Sequence, residues 1–270
     1  MNNNSKKHTD NSQTEQKLAG SLTAKTTELI PYLPYLLQDI WELGSNPRDM
    51  IRLIKEHIDI GSETKVLDLG CGKGAVSVSI CRELGIRAKG IDLLPEFIEV
   101  ARSKANEYGV SSRCEFTVQD INVSVETESG YDIVILGAVG NVLGEPAETL
   151  EKLKGVIRSN GFILIDEGYL DGNQADVRYQ NYEYLTLEQW EDLFRDLNLE
   201  LIAGVTYEDD ELMSETNHYN NRMISQRADE LIARHPEQSG IFEGYVRSQQ
   251  MESDDLDDLV VGVTWLLKRL

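Results

Sequence analysis

A chain of 270 residues with 40% hydrophobic residues can build one α/β core plus an accessory element. Its 26 Lys and Arg against 47 Asp and Glu leave a net charge of −21, which repels polyphosphate and anionic lipid, so nucleic acid and membrane surfaces are poor partners. The three cysteines, Cys71, Cys81 and Cys114, show no C-x-x-C spacing and the four histidines no ligand spacing, so no disulfide framework and no bound metal is expected.

Residues 1–20 are polar and aperiodic and read as a disordered tail. With no charged leader and no apolar run near 18 residues, a soluble cytoplasmic protein is expected. An N-terminal helical segment follows over 21–60. Its first part, Leu29 to Trp41, is apolar and aromatic and predicts a helix after Pro34 that stops at Gly44. In the second part Asn46 is an N-cap with Pro47 at the first helical position, and Met50, Ile51, Ile54 and Ile58 form one apolar face.

The stretch from Lys65 to Ala75 organises everything after it. Val66-Leu67-Asp68-Leu69 is a short apolar strand, Gly70, Gly72 and Gly74 fall at every second position, and a helix begins. Glycines let backbone approach a ligand closely, and the helix start offers unpaired N–H groups, so this is a nucleotide-binding turn. The G-x-G-x-x-G/A pattern with Asp92 about 20 residues on also fits an NAD site. Asp68 distinguishes the two readings: its carboxylate would repel a pyrophosphate but suits a ligand carrying a sulfonium and an ammonium, as S-adenosylmethionine does.

At these residues the chain resembles the class I S-adenosylmethionine-dependent methyltransferases, whose first motif is matched by Asp68, Gly70, Gly72 and Gly74. The cofactor set expected on this basis includes Cys71 within the turn. Asp92 closes the second strand, where an acid can accept from both ribose hydroxyls. The resemblance further implies that Asp120, after the third strand, accepts from the adenine amino group, with Leu93 and Ile121 on either side of the ring; as residues alone, Asp120 also fits a turn. Gly137, in Gly137-Ala138-Val139-Gly140-Asn141 after the fourth strand, leaves room for the methyl group and its acceptor. In this family helices before the first strand often lie across the cofactor site, so Tyr32, Tyr35 and Trp41 are candidate walls as well as ordinary packing residues.

Further strands are expected at Phe162 to Glu167, Leu199 to Tyr207 and Leu259 to Leu267, with Thr186 and Gln189 forming a capping box between the first two. The predicted fold is α/β: a doubly wound, seven-stranded, mostly parallel sheet with an antiparallel last strand, N-terminal helices and a helical insertion before that strand. The Rossmann-like domain covers 61–207 and 256–270. The insertion, 208–255, carries Tyr219, Met223, Ala228 and Leu231 on one stripe. It is either a lid or a structural flap or contact between copies, which leaves a homodimer open. The acidic run from Glu252 to Asp258 reads as a solvated connection.

The resemblance implies methyl transfer to a small-molecule acceptor. The Asn/Asp-Pro-Pro-Tyr/Phe and Pro-Cys signatures of other acceptor classes are absent after the fourth strand. No side chain is obligatory for the displacement; Glu167, after the fifth strand, and His218 in the insertion are candidate bases, with Tyr219 as a further acceptor contact. An NAD-dependent oxidoreductase and a non-catalytic S-adenosylmethionine-binding protein are the alternatives.

Overall fold

The computed structural model describes residues 14–180, 183–206 and 211–270, with side chains from 215 onward in the last stretch. In chain order these form α1 (14–21), a 3-10 turn at Thr27–Tyr32, α2 (Leu33–Leu36), α3 (Pro47–His57), β1 (Lys65–Leu69), α4 (Ala75–Leu84), β2 (Arg87–Asp92), α5 (Pro95–Glu107), β3 (Cys114–Val118) and α6 (Ile121–Thr127). There follow β4 (Tyr131–Gly137), α7 (Pro146–Val156), β5 (Ile157–Leu170), α8 (Leu187–Asp196), β6 (Leu199–Thr206), α9 (Glu211–Arg234), α10 (Ser239–Asp258) and β7 (Val260–Arg269). Two compact units result.

The larger unit, Trp41–Asp171, Leu185–Glu208 and Val261–Leu270, contains the sheet. Its strand order is β3-β2-β1-β4-β5-β7-β6; β1 pairs in parallel with β2 and β4, and β7 runs antiparallel to β6. Period-two burial sends Val66, Ala88, Ile133, Ile135 and Leu164 to one face, against α3, α4 and α5. The alternate residues Leu67, Leu69, Val134, Leu136, Ile163 and Ile165 face the other, where α6, α7 and α8 cover them. Local signals set the helix starts. Asn46 accepts from Arg48 N at 3.0 Å, and Thr186 and Gln189 close both arms of the capping box.

The smaller unit comprises the described residues within Met1–Ile40, Gly172–Tyr184 and Asp209–Val260. It departs from expectation in four places. The anticipated tail to residue 20 lies outside the described residues up to 13, whereas 14–21 are helical and bury Ala19. The helix expected after Pro34 is a single turn, Leu33–Leu36. On α9 the buried stripe is Ile224, Ala228 and Leu231, three to four residues apart, while Tyr219 is exposed. Residues 172–184 join this unit, so the insertion before β7 is not its whole substance.

The acidic run at the end of α10 is exposed at Asp257 and Asp258 but not at Asp255. Asp255 is fully buried and accepts from the backbone N–H of Arg178 at 2.9 Å and of Tyr179 at 2.7 Å, with the Arg178 guanidinium 3.1 Å away. Residues 178 and 179 lie outside helix and strand, and the carboxylate accepts from both their N–H groups, a long-range pairing that charge patterning along the chain cannot show.

Candidate active site

The site is built where β1, β2 and β4 end. Leaving β1, the chain turns with positive φ at Gly70, Gly72 and Gly74 (72°, 52° and 76°), and Gly70 N and Cys71 N both donate to Ile91 O at 2.8 and 2.9 Å. The turn is therefore stitched to the end of β2. Asp92, the next residue, completes the stitching: Oδ2 accepts from Gly72 N and Oδ1 from Leu94 N, each at 2.9 Å.

Asp68 sits behind this turn, buried, with Ser77 Oγ donating to its Oδ2 at 2.6 Å. Burial pushes its pKa up to about 6; the Ser77 hydrogen bond opposes that rise and the charge of Asp92 adds to it. Burial also raises Asp92, against the pull of its backbone donors. A buried and a half-buried carboxylate beside one backbone turn make a site of negative potential that favours a cation. Ser77 was not foreseen, although its place on the first turn of α4, nine residues after Asp68, is visible in the sequence.

The remaining expected residues divide. Cys71 is buried, and burial together with Asp68 and Asp92 holds its thiol well above the ordinary range, so it stays protonated and inert. Asp120 is the N-cap of α6, a helix not anticipated from the sequence; its Oδ1 accepts from Asn122 N at 2.8 Å and from Asn122 Nδ2 at 3.0 Å. Ile121 is buried at the start of that helix and Leu93 is half-buried after β2. Gly137 pairs with Asp166 across β4 and β5. Glu167, one residue further along β5, has its pKa pushed up to about 8 by burial and by the Asp166 charge.

Trp41 is brought to the turn, its Nε1 donating to Lys73 O at 3.0 Å and its ring stacked on Tyr108 at 5.5 Å. It begins a strap: Leu43 lies against Gly72, Gly44 against Ala138, and Ser45 against Gly137, where a β-carbon would collide with Ser45 Oγ. The small residues after β4 thus make room for residues 44 and 45 of this chain, a reason the sequence did not disclose.

Tyr32 and Tyr35 belong to the smaller unit. Tyr32 donates to Gln238 Oε1 at 2.7 Å and packs edge-on to Phe242, while Tyr35 bonds Glu230 and receives Arg234 at 2.8 Å. His218 and Tyr219 are exposed on α9. All four belong to the smaller unit. Among the described residues no group of His, Cys, Asp and Glu is placed to hold a metal, and no helix is long and apolar enough to cross a membrane.

Residues 60–233, nearly two thirds of the chain, match the family model described as a methyltransferase domain. The chain belongs to the methyltransferase-domain family. The sheet order with its antiparallel last strand is that of the class I, Rossmann-like methyltransferase fold. Within that fold it is similar to the SAM-dependent methyltransferase from Thiobacillus denitrificans in complex with S-adenosyl-L-homocysteine, with a TM-score of 0.73 at 18% identity over 88% of this chain and 98% of the other. It is also similar to the [4+2]-cyclase SpnF, with a TM-score of 0.67 at 15% identity over 91% and 97% of the two chains. In sequence, 143 residues are 27% identical to the ribosomal protein L11 methyltransferase of Dictyoglomus thermophilum, covering 52% of this chain and 44% of that protein. The chain thus spans less than half the length of the curated relatives it matches first.

Proposed function

We propose that this chain is an S-adenosylmethionine-dependent methyltransferase acting on a small molecule in a reducing cytosol. The observation that carries the reading is the pair of carboxylates, buried Asp68 and half-buried Asp92, at a glycine turn stitched to the end of β2. A pyrophosphate brought there would meet two negative charges; a sulfonium and an ammonium would be attracted by both. When bound, S-adenosylmethionine supplies an electrophilic methyl group and its own leaving group.

The chain's residues then have positional tasks. Asp92 keeps lone pairs for the ribose hydroxyls while its backbone bonds hold the turn rigid. Asp68 supplies the negative potential facing the cationic end. Asp120 is assigned the adenine amino group, with Leu93 and Ile121 flanking the ring. Glu167, with its pKa near 8, is matched to accept a proton from a hydroxyl or ammonium acceptor as the new bond forms. The small-molecule acceptor is favoured by the charge of −21, which works against a polyanionic substrate.

A second reading keeps the cofactor site but not the transfer, because a cyclase shares the fold and no residue is obligatory for the displacement. Calorimetric titration with S-adenosylmethionine, S-adenosylhomocysteine and NAD, followed by labelled-methyl transfer to a panel of hydroxyl, amine and thiol acceptors, separates the readings. Binding with turnover of an acceptor supports the methyltransferase. Binding with no transfer across the panel favours the second reading, and NAD binding alone defeats both.

A further inference from the structure

One buried hydroxyl of the larger unit has no part in the chemistry above. Ser45 ends the strap, and its Oγ is buried with no hydrogen-bond partner among the described residues. It fills the side-chain slot of Gly137: Ser45 Oγ already lies where a β-carbon on that glycine would sit, with Met50 Cε 3.2 Å from the same point. Gly137 is the ladder partner of Asp166, and paired residues of neighbouring strands point to one face. Alternation along β5 puts Asp166, buried, on the face of Leu164, which α3 covers. Adjacent strands lie about 5 Å apart, so the Ser45 hydroxyl and the Asp166 carboxylate are side by side at the end of β4. Glu167 follows on the opposite face, where β5 runs on past β4.

On the methyltransferase reading above, we propose that Ser45 and Asp166 hold the ammonium group of the methyl acceptor, which makes the acceptor a small primary amine. An ammonium brings a charge and three N–H donors, enough for a carboxylate oxygen of Asp166, a lone pair of Ser45 Oγ and a base. An alcohol or a thiol brings one donor and no charge, so Asp166 gives it at most one hydrogen bond. Gly44, exposed and at a φ of 121°, lets the hydroxyl of the next residue swing off Gly137 as the amine enters. Glu167 takes one ammonium proton, and the freed nitrogen lone pair forms the C–N bond as the methyl's bond to sulfur breaks. The sulfonium becomes a neutral thioether, and the methylated ammonium leaves with the positive charge.

The test uses the full chain and probe sets matched in carbon skeleton, each a primary amine with its alcohol and its thiol: the n-butyl, benzyl and 2-phenylethyl compounds. Calorimetry against protein saturated with S-adenosylhomocysteine should show binding of at least one amine and of neither counterpart in its set. Labelled-methyl transfer from S-adenosylmethionine should follow the same order, with the label on nitrogen. Ser45→Ala and Asp166→Asn should each raise the KM for that amine about 10-fold and leave S-adenosylmethionine affinity within about 2-fold. Ser45→Ala removes a single oxygen atom, so it decides the matter even where Asp166→Asn does not fold. Preference for an alcohol or thiol over its amine, no binding by any amine, or an unchanged amine KM in Ser45→Ala would each overturn the proposal. Failure of the wild type to bind S-adenosylmethionine would instead strike the methyltransferase reading itself, and the proposal with it.

Discussion

Asp68 is the residue whose charge decides what the glycine turn attracts. A carboxyl held at about 6 rather than 3.8 costs the folded protein about 3 kcal/mol once it is ionised. The sign follows from the raised value: the folded state binds this proton more tightly than the unfolded chain, so the contribution is most favourable below pH 4 and is lost as pH rises through 6. Asp68→Asn should therefore raise the melting temperature of the cofactor-free protein at pH 7.5 and change it little at pH 4. The same variant should lose about 10-fold or more in S-adenosylmethionine affinity, since it removes the negative charge. Loss of stability at pH 7.5 with affinity unchanged would contradict the assignment. In the wild type, affinity should fall as pH drops through 6 and Asp68 takes its proton.

Asp92→Ala removes the acceptor of Gly72 N and Leu94 N as well as that of the proposed ribose contact, so cofactor affinity should fall by roughly 1 to 3 kcal/mol while the fold persists. Circular dichroism beside calorimetry checks both halves; unchanged affinity in a folded variant would displace the ribose from this residue. The position of Asp92 was legible in the sequence because the acid closes a strand about 20 residues after the glycine turn. Its dual task was not, because Gly72 lies twenty residues earlier. Ser77 escaped for a related reason: a serine on a helix acquires meaning only when that helix returns it to the carboxylate behind the turn.

Among the elements, those whose signals are local were the most legible. Asn46 with Pro47 and Thr186 with Gln189 fix helix starts through bonds that span two or three residues, and short continuous apolar runs, buried on both faces, mark β1 and β4. The strap from Trp41 to Ser45 is held by tertiary contacts and carries no periodic signal. Trp41→Phe should keep the stacking on Tyr108 but lose the bond to Lys73 O, destabilising by about 1 kcal/mol and weakening cofactor binding by a few-fold. An unaltered melting temperature with unaltered binding would leave the strap without a part in shaping the turn. Asp255 is the clearest failure of local reading, since four acids within five residues read as solvated. Asp255→Ala strands the Arg178 and Tyr179 N–H groups and should cost about 3 to 5 kcal/mol, measured by urea unfolding. A cost below about 1 kcal/mol would show that these donors find other partners.

For the whole molecule, the sheet order with its antiparallel last strand follows from alternating strands and helices plus one strand returning after the insertion. The division into two units does not follow, because residues 172–184 join an assembly whose other parts lie far away in sequence. The central claim, that this glycine turn and its two carboxylates take a cationic nucleoside rather than a pyrophosphate, is tested most directly by isothermal titration of the wild-type protein at pH 7.5 with S-adenosylmethionine and, separately, with NAD. The account predicts saturable one-site binding of S-adenosylmethionine and no detectable heat of binding from NAD. Saturable NAD binding with no response to S-adenosylmethionine would contradict it.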